Sequence, residues 1–292
     1  EKLNGKVICN LCPRNCKIGE GKSGFCYVRK NIDGKLYLLA YGKPCAVHID
    51  PIEKKPLYHF LPGSDIFSIG TAGCNMGCKF CQNWDISKAQ QDQVRTFSLP
   101  PEAAVKTAIE NGCESIAYTY NEPNIWAEYA MDIARLGREK GLKSVMVTNG
   151  YINIKPLREV YKYIDAANVD LKSMSEKFYA SLTLSHLKPV LDALIEMKSM
   201  GVWIEITNLV IPTMNDSESE LKELSKWVCE NLGEDVPVHF TAFHPDFKLR
   251  NIPRTKTGTL EKARKIALDI GLKYVYVGNV YSEEGSNTYC PS

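Results

Sequence analysis

The stretch Gly73-Cys74-Asn75-Met76-Gly77-Cys78-Lys79-Phe80-Cys81-Gln82-Asn83 directly follows a short apolar run at residues 66–70. It contains three cysteines in the spacing Cys-x3-Cys-x2-Cys, on what the pattern predicts to be the loop after a strand. Three thiolates on one loop can bind three irons of a [4Fe-4S] cluster, whereas such clusters ordinarily have four cysteine ligands. The sequence therefore predicts that Cys74, Cys78 and Cys81 hold a cluster whose fourth iron is open to a ligand from outside the protein.

A zinc site is the alternative for these three cysteines. Tetrahedral zinc also favours closely spaced thiolates, and a His or Cys elsewhere in the chain would supply the fourth ligand. Short cysteine pairs in zinc sites are usually Cys-x2-Cys joined to another Cys-x2-Cys, which favours the iron–sulfur interpretation.

Downstream of this loop, short β-branched or aromatic runs alternate with segments of helix length, which is the pattern of βαβ units and a parallel sheet. The predicted strands are residues 66–70, 115–119, 143–148, 164–170, 202–210, 236–241 and 274–277. The predicted helices are residues 100–111, 123–140, 155–163, 187–200, 217–231 and 258–270. Six or seven such units are too few for a closed eight-stranded barrel, so we expect an α/β fold with a partial (β/α)6 TIM-like barrel. Its chemistry should lie at the carboxyl ends of the strands.

The first 65 residues have a different character. They are rich in cysteine, glycine and lysine, and Asp33-Gly34 suits a tight turn between two strands. The composition predicts a small Cys-rich metal-binding module at residues 1–65, followed by the barrel at residues 66–292.

Charge and hydropathy argue against two classes of partner. Lys and Arg number 36 against 34 Asp and Glu, and the formal net charge is +2. We therefore predict no nucleic acid partner and no attraction to an anionic membrane. Polar residues interrupt the most apolar segment, 202–211, so no transmembrane helix is expected, and the first ten residues lack the apolar core of a signal peptide. A soluble, cytoplasmic protein is expected.

Eleven cysteines are many for a reducing compartment, and their odd number and clustering favour metal binding over disulfide bonds. A second group lies in the N-terminal module: Cys9, Cys12, Cys16 and Cys26. Four thiols complete a closed site, so we predict an auxiliary metal there, either zinc or an iron–sulfur cluster, since both accept four thiolates. Reduced free thiols are the alternative. The roles of Cys45, which could replace one of the four, and of Cys290 stay open.

Five segments carry a resemblance to a known family. They are Cys12-Pro13-Arg14-Asn15-Cys16, Asp50-Pro51-Ile52-Glu53-Lys54-Lys55-Pro56-Leu57-Tyr58-His59-Phe60, Gly73 to Trp84, Tyr118-Thr119-Tyr120-Asn121-Glu122-Pro123 and Thr288-Tyr289-Cys290-Pro291. With them the chain resembles the radical S-adenosylmethionine (SAM) superfamily, and within it the pyruvate formate-lyase activating enzymes. Over essentially its whole length it is more similar still to the radical SAM enzyme of the AmmeMemoRadiSam system.

The resemblance implies which residues bind SAM. The segment from Tyr120 to Pro123 follows the strand 115–119, where the superfamily has a Gly-Gly-Glu motif that contacts the methionine amino group. Glu122 matches the carboxylate of that motif, whereas Tyr120 and Asn121 depart from its two glycines. The alternative for Glu122 is an acidic residue that stabilises the first turn of the next helix.

Further SAM contacts are implied at the ends of later strands. Asn149, and Asp170 with Lys172, match activase motifs that contact the ribose and the methionine carboxylate, and Lys172 is a suitable point charge for a carboxylate. An ordinary surface Asp–Lys pair is the alternative. His244 follows the strand 236–241, where activases have a histidine near SAM, although it could equally cap that strand. Two residues beside the last cluster cysteine are expected to pack near the adenine, with loop support as the alternative: Phe80 and Asn83.

The resemblance also implies a reaction. A reduced [4Fe-4S] cluster cleaves SAM to a 5′-deoxyadenosyl radical, which abstracts hydrogen from a protein or small-molecule substrate, while the protein binds, orients and excludes water. A one-electron donor such as ferredoxin or flavodoxin is required, and Memo-type and AMMECR-type proteins are the implied partners. Two alternatives stay open: an activase that abstracts hydrogen from a glycine of a partner enzyme, and a non-catalytic iron–sulfur or zinc scaffold.

Overall fold

The computed structural model describes residues 2, 3 and 5–291. Its centre is a sheet of eight strands, in which one antiparallel strand is followed by seven parallel strands. The strands are β1 (Lys2–Leu3), β2 (Lys6–Cys9), β3 (Cys16–Ile18), β4 (Arg29–Ile32), β5 (Lys35–Leu38), β6 (Ala46–Pro51), β7 (Asp65–Gly70), β8 (Ser115–Tyr118), β9 (Lys143–Thr148), β10 (Ala166–Asp170), β11 (Trp203–Val210), β12 (Val238–Ala242) and β13 (Val275–Gly278). In the central sheet, β6 to β13 lie side by side in chain order, and β6 and β13 form its two edges.

Helices connect the parallel strands and pack against them. They are α1 (Trp84–Ser87), α2 (Pro101–Glu110), α3 (Ala127–Glu139), α4 (Ile154–Val160), α5 (Glu176–Phe178), α6 (Leu187–Ser199), α7 (Glu218–Asn231) and α8 (Thr257–Ile270). Local signals set several of their ends: Pro101 occupies the first position of α2, Ser217 caps α7, and Gly271 ends α8 with a left-handed backbone. Within the described residues, every helix is too short or too polar to span a bilayer.

The structure confirms the predicted α/β fold with its parallel sheet. All seven predicted strands are present as β7 to β13, with ends that differ from the prediction by about two residues or fewer. The sheet is a partial barrel because its edge strands are joined only to their inner neighbours. Helices α2, α3, α4, α6, α7 and α8 correspond to the six predicted ones, and α1 and α5 are short additions.

The N-terminal region forms two small sheets. Strands β1, β2 and β3 are antiparallel, and β4 and β5 form a hairpin whose turn contains Asp33 and Gly34, both with positive φ. The prediction of a turn at Asp33-Gly34 is confirmed. Strand β6 lies before residue 65 but pairs with β7 in the central sheet. The division into two domains at residue 65 stays a prediction.

The segment between β6 and β7 closes the amino ends of the strands. Glu205 of β11 is fully buried there, and its carboxylate accepts hydrogen bonds from the backbone N–H groups of Tyr58 (3.0 Å) and His59 (2.9 Å). The Nε2 atom of His239 lies 2.7 Å from the same carboxylate. Burial alone raises the pKa of Glu205, but these partners outweigh it and the net shift is downward. The floor of the barrel therefore contains a buried carboxylate with several hydrogen-bond partners, beside an apolar cluster that includes Ile52 and Leu57.

Candidate active site

A cavity of about 360 Å³ opens at the carboxyl ends of the central strands, where barrels of this type bind ligands. The three-cysteine loop forms one wall, and the ends of β8, β9 and β10 form the other. The cavity brings together nine of the residues predicted for the cluster and SAM: Cys74, Cys78, Phe80, Cys81, Asn83, Glu122, Asn149, Asp170 and Lys172. His244 is exposed beyond the end of β12 and does not line this cavity. Its role near SAM stays a prediction.

The donor set of the loop fits an iron–sulfur cluster. Cys78 is buried, Cys74 and Cys81 are half-buried, and the three thiols face a cavity with room for a further ligand. Burial raises the pKa of the Cys74 and Cys78 thiols, and the nearby ammonium groups of Lys88 and Lys172 oppose that rise. A bound metal favours the thiolate because its ligands must be deprotonated. Cluster binding by these three residues nevertheless stays a prediction.

The side chain of Asn121 anchors the start of the cysteine loop. Its amide Nδ2 donates to the carbonyl oxygens of Ala72 (3.1 Å) and Gly73 (2.9 Å), and its Oδ1 accepts from the Thr71 N–H (3.1 Å). In the Gly-Gly-Glu motif a glycine stands at the position of Asn121, and the sequence alone gives this asparagine no role. The structure shows that it connects the strand that carries Glu122 to the loop that carries Cys74.

Tyr120, which stands in place of the other glycine of that motif, has a glycine-like backbone. Its φ is +68°, in the left-handed region that non-glycine residues seldom adopt. The phenol donates to Asp50 Oδ2 at 2.7 Å, and Lys55 Nζ lies 2.6 Å from the same oxygen. Burial opposes these partners, but together they lower the pKa of Asp50 to about 2. The backbone carbonyl of Tyr120 accepts from Asn83 Nδ2 at 2.7 Å, so Asn83 lies at the mouth of the cavity.

Glu122 is the most enclosed acid of the site, with 2 % of its surface exposed. Its carboxylate accepts hydrogen bonds from Thr148 Oγ1 (2.6 Å), the Asn149 N–H (2.8 Å) and the Asn124 N–H (3.1 Å). Burial raises the pKa of Glu122 to about 7, in spite of these three donors. The bond to Asn124 also caps the 3-10 helix Pro123–Trp126. Glu122 therefore starts a helix and faces the cavity at the same time.

Asn149 and Lys172 complete the polar part of the wall. The Asn149 amide donates to Asn75 Oδ1 at 2.9 Å and lies 3.8 Å from Cys74 Sγ, so it joins the end of β9 to the cysteine loop. Lys172 Nζ lies 2.9 Å from Asp170 Oδ2. Burial lowers the pKa of Lys172, but Asp170 outweighs it and the net shift is upward, so the lysine stays charged.

Several lining residues were not predicted from the sequence. Deeper in the barrel the cavity is lined by inward-facing polar residues of three strands: Asn168, Thr207 and Thr241. Three lysines besides Lys172 also line the cavity: Lys54, Lys55 and Lys88. The period-2 alternation of a strand was the available signal for the first group, because every second residue of a barrel strand points inward. A lining that carries both acids and cations suits a ligand that also carries both charges.

The second cysteine group lies close to the first. Cys9, Cys12, Cys16 and Cys26 line a separate cavity of about 20 Å³. These four cysteines are free thiols in this structure. Within residues 2, 3 and 5–291, no three Cys, His, Asp or Glu side chains are already placed as a preformed site for a metal ion. An auxiliary metal at these four residues stays a prediction.

Comparisons with known proteins identify similar sequences and folds. Residues 68–226 match the family model described as the Radical SAM superfamily. An uncharacterized protein of Methanocaldococcus jannaschii is 46% identical over 100% of this chain and 87% of its own length. The pyruvate formate-lyase-activating enzyme of Clostridium pasteurianum is 23% identical over 68% of this chain and 89% of its own length. In fold, the crystal structure of a radical SAM methyltransferase from Sphaerobacter thermophilus is similar with a TM-score of 0.59 and 18% identity, over 77% of this chain and 68% of that one.

Proposed function

Because this chain belongs to the radical SAM superfamily, we propose that Cys74, Cys78 and Cys81 hold a [4Fe-4S] cluster and that the enzyme cleaves SAM reductively. When bound and reduced, such a cluster would supply one electron for the cleavage of the SAM sulfonium to methionine and a 5′-deoxyadenosyl radical, and this radical would take a hydrogen atom from a substrate. The observation that carries this proposal is the three-thiol loop facing a cavity lined by Glu122 and Lys172.

The residues of the chain bind and orient SAM in this proposal. Glu122 accepts hydrogen bonds from the methionine amino group, and Lys172 attracts the methionine carboxylate. Asn149, whose amide donates to Asn75 of the cysteine loop, contacts the ribose. Phe80 is 4 % exposed and packs beside the last cluster cysteine, where its ring gives the adenine an apolar surface. Holding SAM in one geometry and excluding water is the main contribution of the protein to such a reaction.

Production of 5′-deoxyadenosine tests the proposal. The protein is reconstituted anaerobically with iron and sulfide, reduced with dithionite and incubated with SAM, and the products are separated by chromatography. We expect 5′-deoxyadenosine from the wild type and none above background from Cys78→Ala. Cys229→Ala, which changes a cysteine outside both groups, is the matched control and should retain activity. A wild-type protein that binds iron but never cleaves SAM would instead favour a non-catalytic scaffold.

The substrate is a protein or small molecule that presents a hydrogen atom to the open end of the barrel. We propose a low-potential one-electron donor such as ferredoxin or flavodoxin, and Memo-type and AMMECR-type proteins as partners. Deuterium transfer identifies the substrate: with a deuterated candidate, 5′-deoxyadenosine gains deuterium only if that candidate loses the abstracted atom. Candidates that transfer no deuterium are excluded.

A glycyl-radical activase is the second candidate function. It is favoured by the similarity to the pyruvate formate-lyase-activating enzyme of Clostridium pasteurianum, which extends over 89% of that protein. In this case the abstracted hydrogen comes from a backbone glycine of a partner enzyme. Electron paramagnetic resonance of the candidate partner after turnover would show a glycyl radical signal, and its absence would leave the first candidate.

A further inference from the structure

The four N-terminal cysteines converge from two tight turns. Cys9 at the end of β2 lies directly opposite Cys16 at the start of β3, and Cys12 lies in the turn between them. Cys26 comes from the next turn, just before β4. Cys9, Cys12 and Cys26 each expose less than a tenth of their surface, and all four line the cavity of about 20 Å³.

Hydrogen bonds and a cation point at these sulfur atoms. Burial raises the pKa of the Cys12 and Cys26 thiols, and hydrogen bonds from the backbone N–H of Arg14 to Cys12, and from those of Val28 and Arg29 to Cys26, oppose that rise. The buried side chain of Arg29 also lines the cavity. Backbone donors and a nearby cation stabilise negatively charged sulfur, and they are the groups that accompany thiolates bound to metal.

One wall of this cavity is formed by segments that also carry residues of the candidate active site. Asn75 and Ile125 both line it, and they come from the cysteine loop and from the 3-10 helix that follows Glu122. The Arg14 guanidinium donates to the backbone carbonyls of Asn75 and Leu184. The Asn75 side chain accepts from Asn149 and donates to the Tyr151 carbonyl at 2.7 Å. Asn75 of the loop therefore lines this cavity and is hydrogen-bonded to Asn149, which lines the other.

Gly73 lies close to the second cysteine group. Its φ is +85°, and a Cβ atom at this position would lie 2.1 Å from the Cys26 carbonyl oxygen. Only glycine allows the backbone of Cys26 to pack this closely against the residue before Cys74. The backbone of Cys26 is thus packed directly against the start of the cysteine loop.

We propose that Cys9, Cys12, Cys16 and Cys26 bind a metal centre, a zinc ion or an iron–sulfur cluster with the same four-thiolate ligation, and that this centre fixes the position of the cysteine loop. Binding releases the thiol protons to solvent, and Arg29 offsets part of the resulting negative charge. It also has to draw the four sulfur atoms together. Since Arg14 and Cys26 both contact the cysteine loop, bringing the four sulfur atoms together fixes the position of that loop. The positioning role rests on the proposed function, whereas the metal centre itself does not.

Metal analysis of a chain without the three loop cysteines tests the centre separately. The variant Cys74→Ala/Cys78→Ala/Cys81→Ala is prepared anaerobically with zinc in one arm and with iron and sulfide in the other. We expect this triple variant to retain metal in one arm, either zinc alone or iron with acid-labile sulfide. The arm in which metal is retained identifies the metal centre as zinc or an iron–sulfur cluster. Adding Cys12→Ser should remove this metal, whereas adding Cys113→Ser should not. No retained metal in either arm overturns the proposal, whether or not the wild type cleaves SAM.

The positioning role is tested in chains that keep the three loop cysteines. Cys12→Ser should weaken SAM binding at least about fivefold and change the electron paramagnetic resonance spectrum of the reduced cluster. Arg14→Gln keeps all four thiols but loses its contacts to Asn75 and Leu184, so it should retain the metal and show the same change in SAM affinity. A Cys12→Ser variant that has lost the metal but keeps the wild-type spectrum and affinity overturns the positioning role.

Discussion

At the scale of single residues, Glu122 has a charge that changes near neutral pH. Burial raises its pKa to about 7 although three hydrogen-bond donors favour the charged form. A carboxylate accepts hydrogen bonds from the amino group of SAM, and a protonated carboxyl group loses much of that attraction. With this pKa, the ionised fraction rises from about a tenth at pH 6 to about nine tenths at pH 8. We therefore expect the Kd for SAM to fall by up to about tenfold between these pH values.

Calorimetric titration of the anaerobically reconstituted protein at pH 6 and pH 8 measures this change. Glu122→Gln should bind SAM weakly at both pH values and with a smaller difference between them. Glu139→Gln changes an exposed acid at the end of α3 and should behave like the wild type. Equal affinity of the wild type at both pH values would show that Glu122 does not titrate in this range.

Substitutions at Gly73 and Gly112 distinguish two energetic costs of replacing a glycine, which are backbone strain and steric overlap. Both have positive φ, +85° and +69°, but a Cβ atom at Gly112 meets nothing within 4 Å, whereas at Gly73 it meets the Cys26 carbonyl. Alanine at either position has a left-handed backbone, which costs about 1–2 kcal/mol. Gly73→Ala adds the cost of overpacking, about 1–3 kcal/mol. Chemical denaturation under reducing conditions without added metal compares the two, and an equal loss of unfolding free energy would contradict the close contact.

At the scale of elements, the strands and helices were predictable because their signals are local. Runs of β-branched residues predicted all seven parallel strands, and helix periodicity with terminal glycines predicted the helices between them. The spacing of Cys74, Cys78 and Cys81 indicated the site. Strand β6 was missed although Val47 to Asp50 alternate between apolar and polar residues, and its place in the sheet depends on pairing with β7. The left-handed backbone of Tyr120 was not predictable either, since contacts with Asp50 and Asn83 from distant segments accompany it.

The floor of the barrel gives a prediction about one element, the segment between β6 and β7. The substitution Glu205→Gln replaces one carboxylate oxygen by an amide NH2 group. This group cannot accept the hydrogen bond that Tyr58, His59 or His239 donates to the carboxylate, so two donors face each other. An unsatisfied buried donor costs about 1–3 kcal/mol. We expect a loss of this size in urea denaturation at pH 7. Glu230→Gln, an exposed change on α7, should cost less than about 0.5 kcal/mol.

The same variant has a defined dependence on pH. Because the pKa of Glu205 is lowered in the folded protein, its stabilising effect is present above the ordinary carboxyl pKa of about 4.3 and is lost as pH falls. The difference between wild type and Glu205→Gln should therefore shrink below about pH 4. A difference that stays constant down to pH 3 would contradict the charged state of Glu205.

At the scale of the whole molecule, polar contacts attach the N-terminal region to the barrel beside the candidate active site. Arg29 donates to the Ile125 carbonyl at 2.8 Å and to Glu128 on α3. Asn153 donates through its side chain to the Asn10 carbonyl (2.8 Å) and through its N–H to the Leu11 carbonyl (3.0 Å). Because these contacts reach the elements that carry Glu122 and Asn149, the N-terminal region and the barrel should unfold together.

Replacement of Arg29 tests this joint unfolding. Arg29→Gln leaves the Ile125 carbonyl without its donor, so we expect a loss of about 1–3 kcal/mol and faster hydrogen exchange in β2, β4 and β5 than in β9 and β10. Arg158→Gln is the matched control, because Arg158 makes a two-point ion pair with Glu196 at the surface, where such pairs contribute about 1 kcal/mol or less. If exchange in β2 and β4 is already much faster than in β9 in the wild type, the N-terminal region opens independently and its contacts do not hold the cysteine loop in place.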